Sequence, residues 1–494
     1  MKKNILLITI SIIAAVSCGK IGSYSYSADY MGYPSEVGDD DFSDGDVGGD
    51  RFDQIVENPF ISTASNPVST FSVDADGAAY AYMRRCLTGS NRLPDANSVR
   101  IEEYLNYFTF DYPDPSGEDM VDLNAEAGPC PWNQEHKLLR LGIKGKSLPE
   151  DQIPMANYVF LIDVSGSMSS VDKLPLLKKG LITMLEYMRS DDRVAIVTYA
   201  GHEELLLQST PVSEMGAIKN AINSLYASGS TNGARGMQMA YEEAMKNYIA
   251  GANNRVIMGT DGDFNVGITG TDAICEFVQN YSNKGIYLTV CGFGTGNLND
   301  GMMEKVSNCG NGTYEYIDSE LEMTKVFVNE RSRFISVAND CKAQISFNPA
   351  TVDRYRLIGY ENRVMDNNDF ENDKVDAAEI GSGQTITALY EIVPTEEAGS
   401  LGTFDFRYKK ELGGESQMLS YELPAVSEKT SENLLFASSL AAWGLFLRNS
   451  QYKGSANIDM AIELASDATT FDPFDLRKEY LDILKKAKKL LPGA

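Results

Sequence analysis

Five oxygen-bearing side chains in this sequence have the types and spacing of a hard-cation site. Asp163, Ser165 and Ser167 form Asp-x-Ser-x-Ser within Asp163-Val164-Ser165-Gly166-Ser167-Met168, directly after the apolar run Tyr158-Val159-Phe160-Leu161-Ile162. Thr231 lies in Gly229-Ser230-Thr231-Asn232-Gly233, and Asp261 opens Asp261-Gly262 after the run Arg255 to Thr260. Carboxylate, hydroxyl and water oxygens are the ligands that Mg²⁺ takes, with Mn²⁺ and Ca²⁺ as alternatives. Two carboxylates would offset the charge of a dication, and the hydroxyls would add neutral ligands. Asp263, two residues past Asp261, is placed either to orient bound water from outside the ligand set or to cap the Asp-Gly-Asp turn.

The elements around these residues alternate. Strands are predicted at 158–163, 193–199, 255–260, 286–293 and 313–317. Helical patterns fill 173–189, 214–225, 233–247, 271–282, 299–307 and 319–337. Such alternation predicts an α/β fold with a doubly wound, mostly parallel sheet. Ligands gather at the carboxyl ends of such strands. Asp163 and Asp261 fall at two of those ends, with Thr231 on a loop along the same edge.

On these residues the segment 151–338 resembles the von Willebrand factor type A domain, a Rossmann-like fold, and its metal-ion-dependent adhesion site. The family motif maps onto Asp163, Ser165 and Ser167, its threonine onto Thr231, and its Asp-Gly aspartate onto Asp261. The resemblance implies that the serines and threonine ligate the ion directly or through water, and that the aspartates hold the hydroxyls in place. It also implies an open coordination position that a partner protein fills with a Glu or Asp.

Longer segments resemble a bacterial subfamily with added flanking regions. They include Phe71-Ser72-Val73-Asp74, Arg100-Ile101-Glu102-Glu103-Tyr104, Thr260-Asp261-Gly262-Asp263-Phe264-Asn265 and Arg356-Leu357-Ile358-Gly359-Tyr360.

The start of the chain reads as an export signal, with Lys2 and Lys3 before an apolar stretch from Asn4 to Val16. Ala15 and Ser17 precede Cys18 in a pattern that resembles a bacterial lipoprotein signal, with Cys18 as the lipidated residue. The expected location is therefore the bacterial cell envelope, periplasmic or surface-exposed, most simply at the outer membrane. No later segment is long and apolar enough to span a bilayer, so any membrane contact is expected through the lipid alone.

The formal net charge of −27 argues against a nucleic-acid partner, which would need basic patches. Six cysteines besides Cys18 show no regular spacing, and their pairing is left open. His136 and His202 are the only histidines and do not suggest zinc. Gly292-Phe293-Gly294-Thr295-Gly296-Asn297 lacks the third glycine of a dinucleotide loop and reads as a turn.

The predicted organisation is a signal peptide at 1–17, an acidic disordered stalk at 18–65, and a mixed flank at 66–150. The type A segment at 151–338 follows, then a β-rich unit at 339–428 and a helical region at 429–494. Helices are predicted at 77–87, 97–108, 432–447 and 475–490, with Asp95 and Asn97 as candidate caps. Strand-like patterns at 120–147 and 341–425 raise the prospect that the two flanks fold together.

The leading expectation is non-enzymatic recognition of a protein through Mg²⁺. The alternatives are an envelope scaffold and, less favoured, a metal-dependent hydrolase.

Overall fold

A computed structural model describes residues 50–491 apart from 74–75, 200–203, 229–234, 263–269, 297, 374, 376 and 412. Its central sheet has six strands. In order they are Tyr314–Ile317, Ile286–Phe293, Asn253–Thr260, Ala156–Asp163, Arg193–Tyr199 and Glu204–Pro211. The first five run parallel and the last is antiparallel.

Ala156–Asp163 and Asn253–Thr260 are buried along their whole lengths. Both faces of the sheet are covered, which is why these strands read as near-continuous apolar runs. The sixth strand was not expected from the sequence. Most of its residues are half-exposed, so no buried run marks it.

Five predicted helices are present, as Leu174–Leu185, Met215–Ser224, Gly236–Lys246, Thr271–Ser282 and Asp300–Cys309. The one expected over 319–337 is broken. Glu320–Thr324 is α-helical, Lys325–Asn329 widens into a π turn, and Arg331–Phe334 tightens into a 3₁₀ turn. Lys325 lies at this break with its ammonium buried, 2.9 Å from Glu330 and 4.2 Å from the Tyr107 ring centre. A buried cation needs such partners, and the altered winding brings Glu330 to it.

The flanks on either side of this domain share their sheets. One sheet runs Ile61–Ser62, Val352–Ile358, Thr385–Pro394, Lys137–Gly145, Val121–Pro129. The other runs Val364–Met365, Val68–Ser72, Ser336–Phe347, Gly402–Lys409, Ser416–Leu423. Leu139 and Ile386 from the first sheet and Phe71 and Ala343 from the second belong to one core. The separate units expected at 66–150 and 339–428 are thus one body, and the type A domain is inserted within it.

The helices Ala78–Gly89, Ile101–Asn106, Glu432–Leu447, Ile458–Ser466 and Leu476–Lys488 form a third group. They pack around Trp443, Tyr80, Phe436 and Tyr480. The single helix expected over 97–108 is split into the 3₁₀ turn Ala96–Ser98 and Ile101–Asn106. Asp95 does cap the turn, accepting the Asn97 N–H at 2.8 Å, whereas Asn97 caps neither piece.

Residues 50–65 correct the expected stalk. The Asp50 carboxylate accepts the N–H groups of Gly296 and Leu298, Phe52 packs on Tyr82, and Ile61–Ser62 joins a sheet. From residue 51 onward the segment carries the half-buried Phe52, Ile55, Phe60 and Ile61, enough apolar surface to hold it to the body.

Candidate metal and partner-binding site

Register places the two carboxylates together. Ile162 pairs with Gly259 on the neighbouring strand and Asp163 with Tyr199 on the other side, so Asp163 and Asp261 leave the sheet at one edge. The loop after Asp163 turns sharply. Ser165 donates its N–H to Asp163 Oδ1 at 2.8 Å, and Met168 closes the Gly166–Ser169 turn by donating to the Ser165 carbonyl at 3.1 Å. This turn brings Ser165 Oγ and Ser167 Oγ to 2.9 Å from each other. Ser165 is buried and Ser167 exposed, so the pair leads from the interior to solvent.

Both carboxylates are buried, Asp163 at 0% and Asp261 at 1% exposure. Burial pushes the Asp163 carboxyl up to about 6, against the pull of its hydrogen bonds from Ser165. Asp261 Oδ2 accepts a bond from Lys173 Nζ at 2.8 Å, while its Oδ1 is buried with no hydrogen-bond partner. An orphaned buried carboxylate oxygen is costly. Here it stands beside a second desolvated carboxylate and two converging hydroxyls, which is the donor set a hard dication takes. Among the described residues no group of three or more His, Cys, Asp or Glu is arranged to hold a metal. The fit rests instead on two carboxylates with hydroxyls.

Of the residues expected at this site, Asp163, Ser165, Ser167 and Asp261 are described, and the structure brings them together. Thr231, Asp263 and the lipidation candidate Cys18 lie outside the described residues, as do the signal peptide and residues 18–49 of the stalk.

Lys173, the ion-pair partner of Asp261, is a residue of this edge that sequence reasoning missed. It lies ten positions after Asp163, just before a helix, and only the fold joins it to Asp261.

The flank is bonded to this edge by two consecutive arginines. Arg85 reaches Asp172, next to Lys173, at 2.6 Å. Arg84 is buried and bridges Asp318, Glu322 and Glu479, tying Ala78–Gly89 to the end of the type A domain and to the last helix. Away from the site, Cys275 and Cys309 form a disulfide with a Cα–Cα distance of 5.2 Å. Cys86, Cys130, Cys291 and Cys341 are free and buried.

A five-parallel, one-antiparallel sheet with Asp-x-Ser-x-Ser at the end of a central strand defines a von Willebrand factor type A domain protein. Residues 157–329 match the "von Willebrand factor type A domain" family. Residues 46–140 match a "von Willebrand factor" family, and 332–490 match "Uncharacterized protein YfbK, C-terminal". The chain is 37% identical over 471 residues to "Uncharacterized protein YfbK" of Escherichia coli K12, covering 88% of this chain and 81% of that protein. It belongs to this family of bacterial type A domain proteins.

The similarity to human inter-alpha-trypsin inhibitor heavy chain H3 is narrower, at 32% identity over 180 residues, or 34% of this chain and 20% of that one. Among solved structures, a von Willebrand factor type A protein from Catenulispora acidiphila is 15% identical with a TM-score of 0.42, covering 75% of this chain and 91% of its own. The ArnB paralog VWA2 from Sulfolobus acidocaldarius is 12% identical with a TM-score of 0.38, covering 75% and 98%.

Proposed function

We propose that this protein recognises another protein outside the cytoplasm through a divalent-cation-dependent surface on its type A domain, with Mg²⁺ as the first candidate. Asp163, Ser165, Ser167, Thr231 and Asp261 would hold the ion, and Asp263 would orient its water. The observation that carries this reading is the orphaned Oδ1 of Asp261, buried beside Asp163 and the paired serine hydroxyls. When bound, the ion supplies a Lewis-acidic position that a partner's Glu or Asp can complete. The protein's own part is to keep the hydroxyls converged and the carboxylates shielded from bulk water.

Recognition suits this site better than catalysis. The one described histidine, His136, is in the flank and bonds Glu391 at 2.5 Å. The Cys275–Cys309 bridge favours an oxidising compartment, in keeping with export and lipid attachment at Cys18 to the bacterial envelope. A scaffold role is the second reading, favoured by the two sheets that join the flanks around the inserted domain.

The test is capture of envelope proteins by the full chain in Mg²⁺ and in EDTA, with Asp163→Ala as control. The recognition reading expects a partner retained only by the wild type in Mg²⁺. A partner retained equally in EDTA would overturn it and favour the scaffold.

A further inference from the structure

Beside the ion loop runs an apolar groove of about 370 Å³ between the helix Leu174–Leu185 and the segment 223–227. Met168 and Ser169 line it, and both belong to the turn that carries Ser167. The groove therefore begins where the proposed ion site ends. Its floor is Leu174 and Leu225, at 2% and 4% exposure, and half-buried Ile182 lines it as well. The Tyr226 ring stands over it 68% exposed, and Val171, 85% exposed, lies two residues past Ser169. Exposed aromatic rings next to apolar floors are typical anchors of protein contacts.

Charge selects among partners. Lys178 also lines the groove, and its ammonium donates to the carbonyls of Asn223 and Leu225 at 2.9 and 2.7 Å. An ammonium has three donors, and both of these acceptors are uncharged. Among the described residues no carboxylate pairs with Lys178. A cation so placed favours an acidic segment over a neutral one.

We propose that this groove forms the second half of the partner footprint, a reading that rests on the metal-dependent recognition above. It takes one large apolar side chain from an extended acidic segment of the partner protein. That side chain and the carboxylate that seeks the ion belong to the same segment. From Ser165 to Ser169 a 3₁₀ turn rises about 8 Å, which an extended chain spans in roughly two or three residues. The recognised pattern is thus an acidic residue with Phe, Leu or Met two or three positions away from it. Lys178 holds a neighbouring carboxylate of the same segment.

The probe is a fluorescein-labelled synthetic peptide of Asp, Gly and Ser carrying one Glu with a Phe two residues before it and another two residues after it. Its Glu→Gln form and its form with both Phe→Ser changes serve as controls. Binding to the full chain is read by fluorescence anisotropy in Mg²⁺ and in EDTA. The expected result in Mg²⁺ is a Kd for the Phe→Ser peptide about 10-fold weaker, as partial burial of one ring gives. Tyr226→Ser, which alters only an exposed ring, should erase that difference while leaving the Mg²⁺ effect. Lys178→Gln should weaken binding several-fold and flatten its salt dependence.

Equal Kd values for the Phe and Ser peptides, a discrimination unchanged in Tyr226→Ser, or no saturable binding of any peptide would each overturn the groove. Mg²⁺ dependence without Phe dependence would overturn the groove and leave the metal site standing. Phe dependence that persists identically in EDTA would remove the metal reading while keeping the groove.

Discussion

Lys173 holds its ammonium 2.8 Å from Oδ2 of Asp261, across 88 residues of sequence. One oxygen of the buried carboxylate is therefore already paired with a cation, and only the other is open. The lysine stem reaches there over Gly294, where an added Cβ would come within 2.3 Å of the Lys173 Cε. Gly294 also has a φ of +72°, so any other residue would be both strained and in the way.

Lys173→Met leaves Asp261 buried without its partner. Removing one member of a buried pair costs about 3–5 kcal/mol. Calorimetry in EDTA should show a lower Tm for the variant. Adding Mg²⁺ should then raise its Tm by more than it raises that of the wild type, because the ion replaces the lost charge. An equal Mg²⁺ increment in both proteins would contradict this electrostatic role.

Wild-type protein should be stabilised by Mg²⁺ alone. An ion at about 100 times its Kd contributes roughly 2.7 kcal/mol. Asp163→Asn and Ser165→Ala should each remove most of that increment, measured as denaturation midpoints with and without EDTA. Ser167→Ala, at the exposed end of the hydroxyl pair, should remove it with little cost to the metal-free fold.

Much of this edge was legible in the sequence, and the reasons are local. Asp163 and Asp261 each end a buried parallel strand, and such strands announce themselves as unbroken apolar runs. Residues 50–65 misled because the Gly- and Asp-rich stretch before them hides that Phe52, Phe60 and Ile61 are spaced to dock. The pairing of Thr385–Pro394 with Lys137–Gly145 has no local signal, since periodicity marks a strand without naming its neighbour. Nor does any spacing single out Cys275 and Cys309, which meet only because two consecutive helices lie side by side.

Stability should fall as pH rises from about 4.5 to 8. Arg100 is shared by Glu103, Asp300 and Glu304, with Arg363 also reaching Glu304 and Glu102 close by. Burial, chiefly, pushes Glu103 from its ordinary 4.5 up to about 8, with Arg100 opposing and Glu304 and Asp300 adding to the rise. The folded state thus keeps a proton that the unfolded chain releases above about 4.5. That contribution is complete below the unfolded pKa and is lost as pH climbs through the folded one. Urea midpoints across this range should decline for the wild type, and Glu103→Gln should flatten the decline. An unchanged slope would place the retained proton elsewhere.

Reduction of Cys275–Cys309 should destabilise the type A domain. The bridge spans 34 residues, for which chain-entropy reasoning gives about 3–4 kcal/mol. The double variant Cys275→Ser/Cys309→Ser should show a correspondingly lower midpoint, and dithiothreitol should have no further effect on it.

The shared sheets also impose an order on folding. Lys144 and Thr385 are ladder partners about 240 residues apart, so their pairing must close a very long loop. Ile153 and Ile335, at the two ends of the inserted domain, line the same small cavity. Once that domain has folded, its ends are side by side and the effective loop shrinks to about 60 residues, which lowers the closure cost by roughly 1 kcal/mol. The inserted domain is thus the template on which the split flank finds its other half.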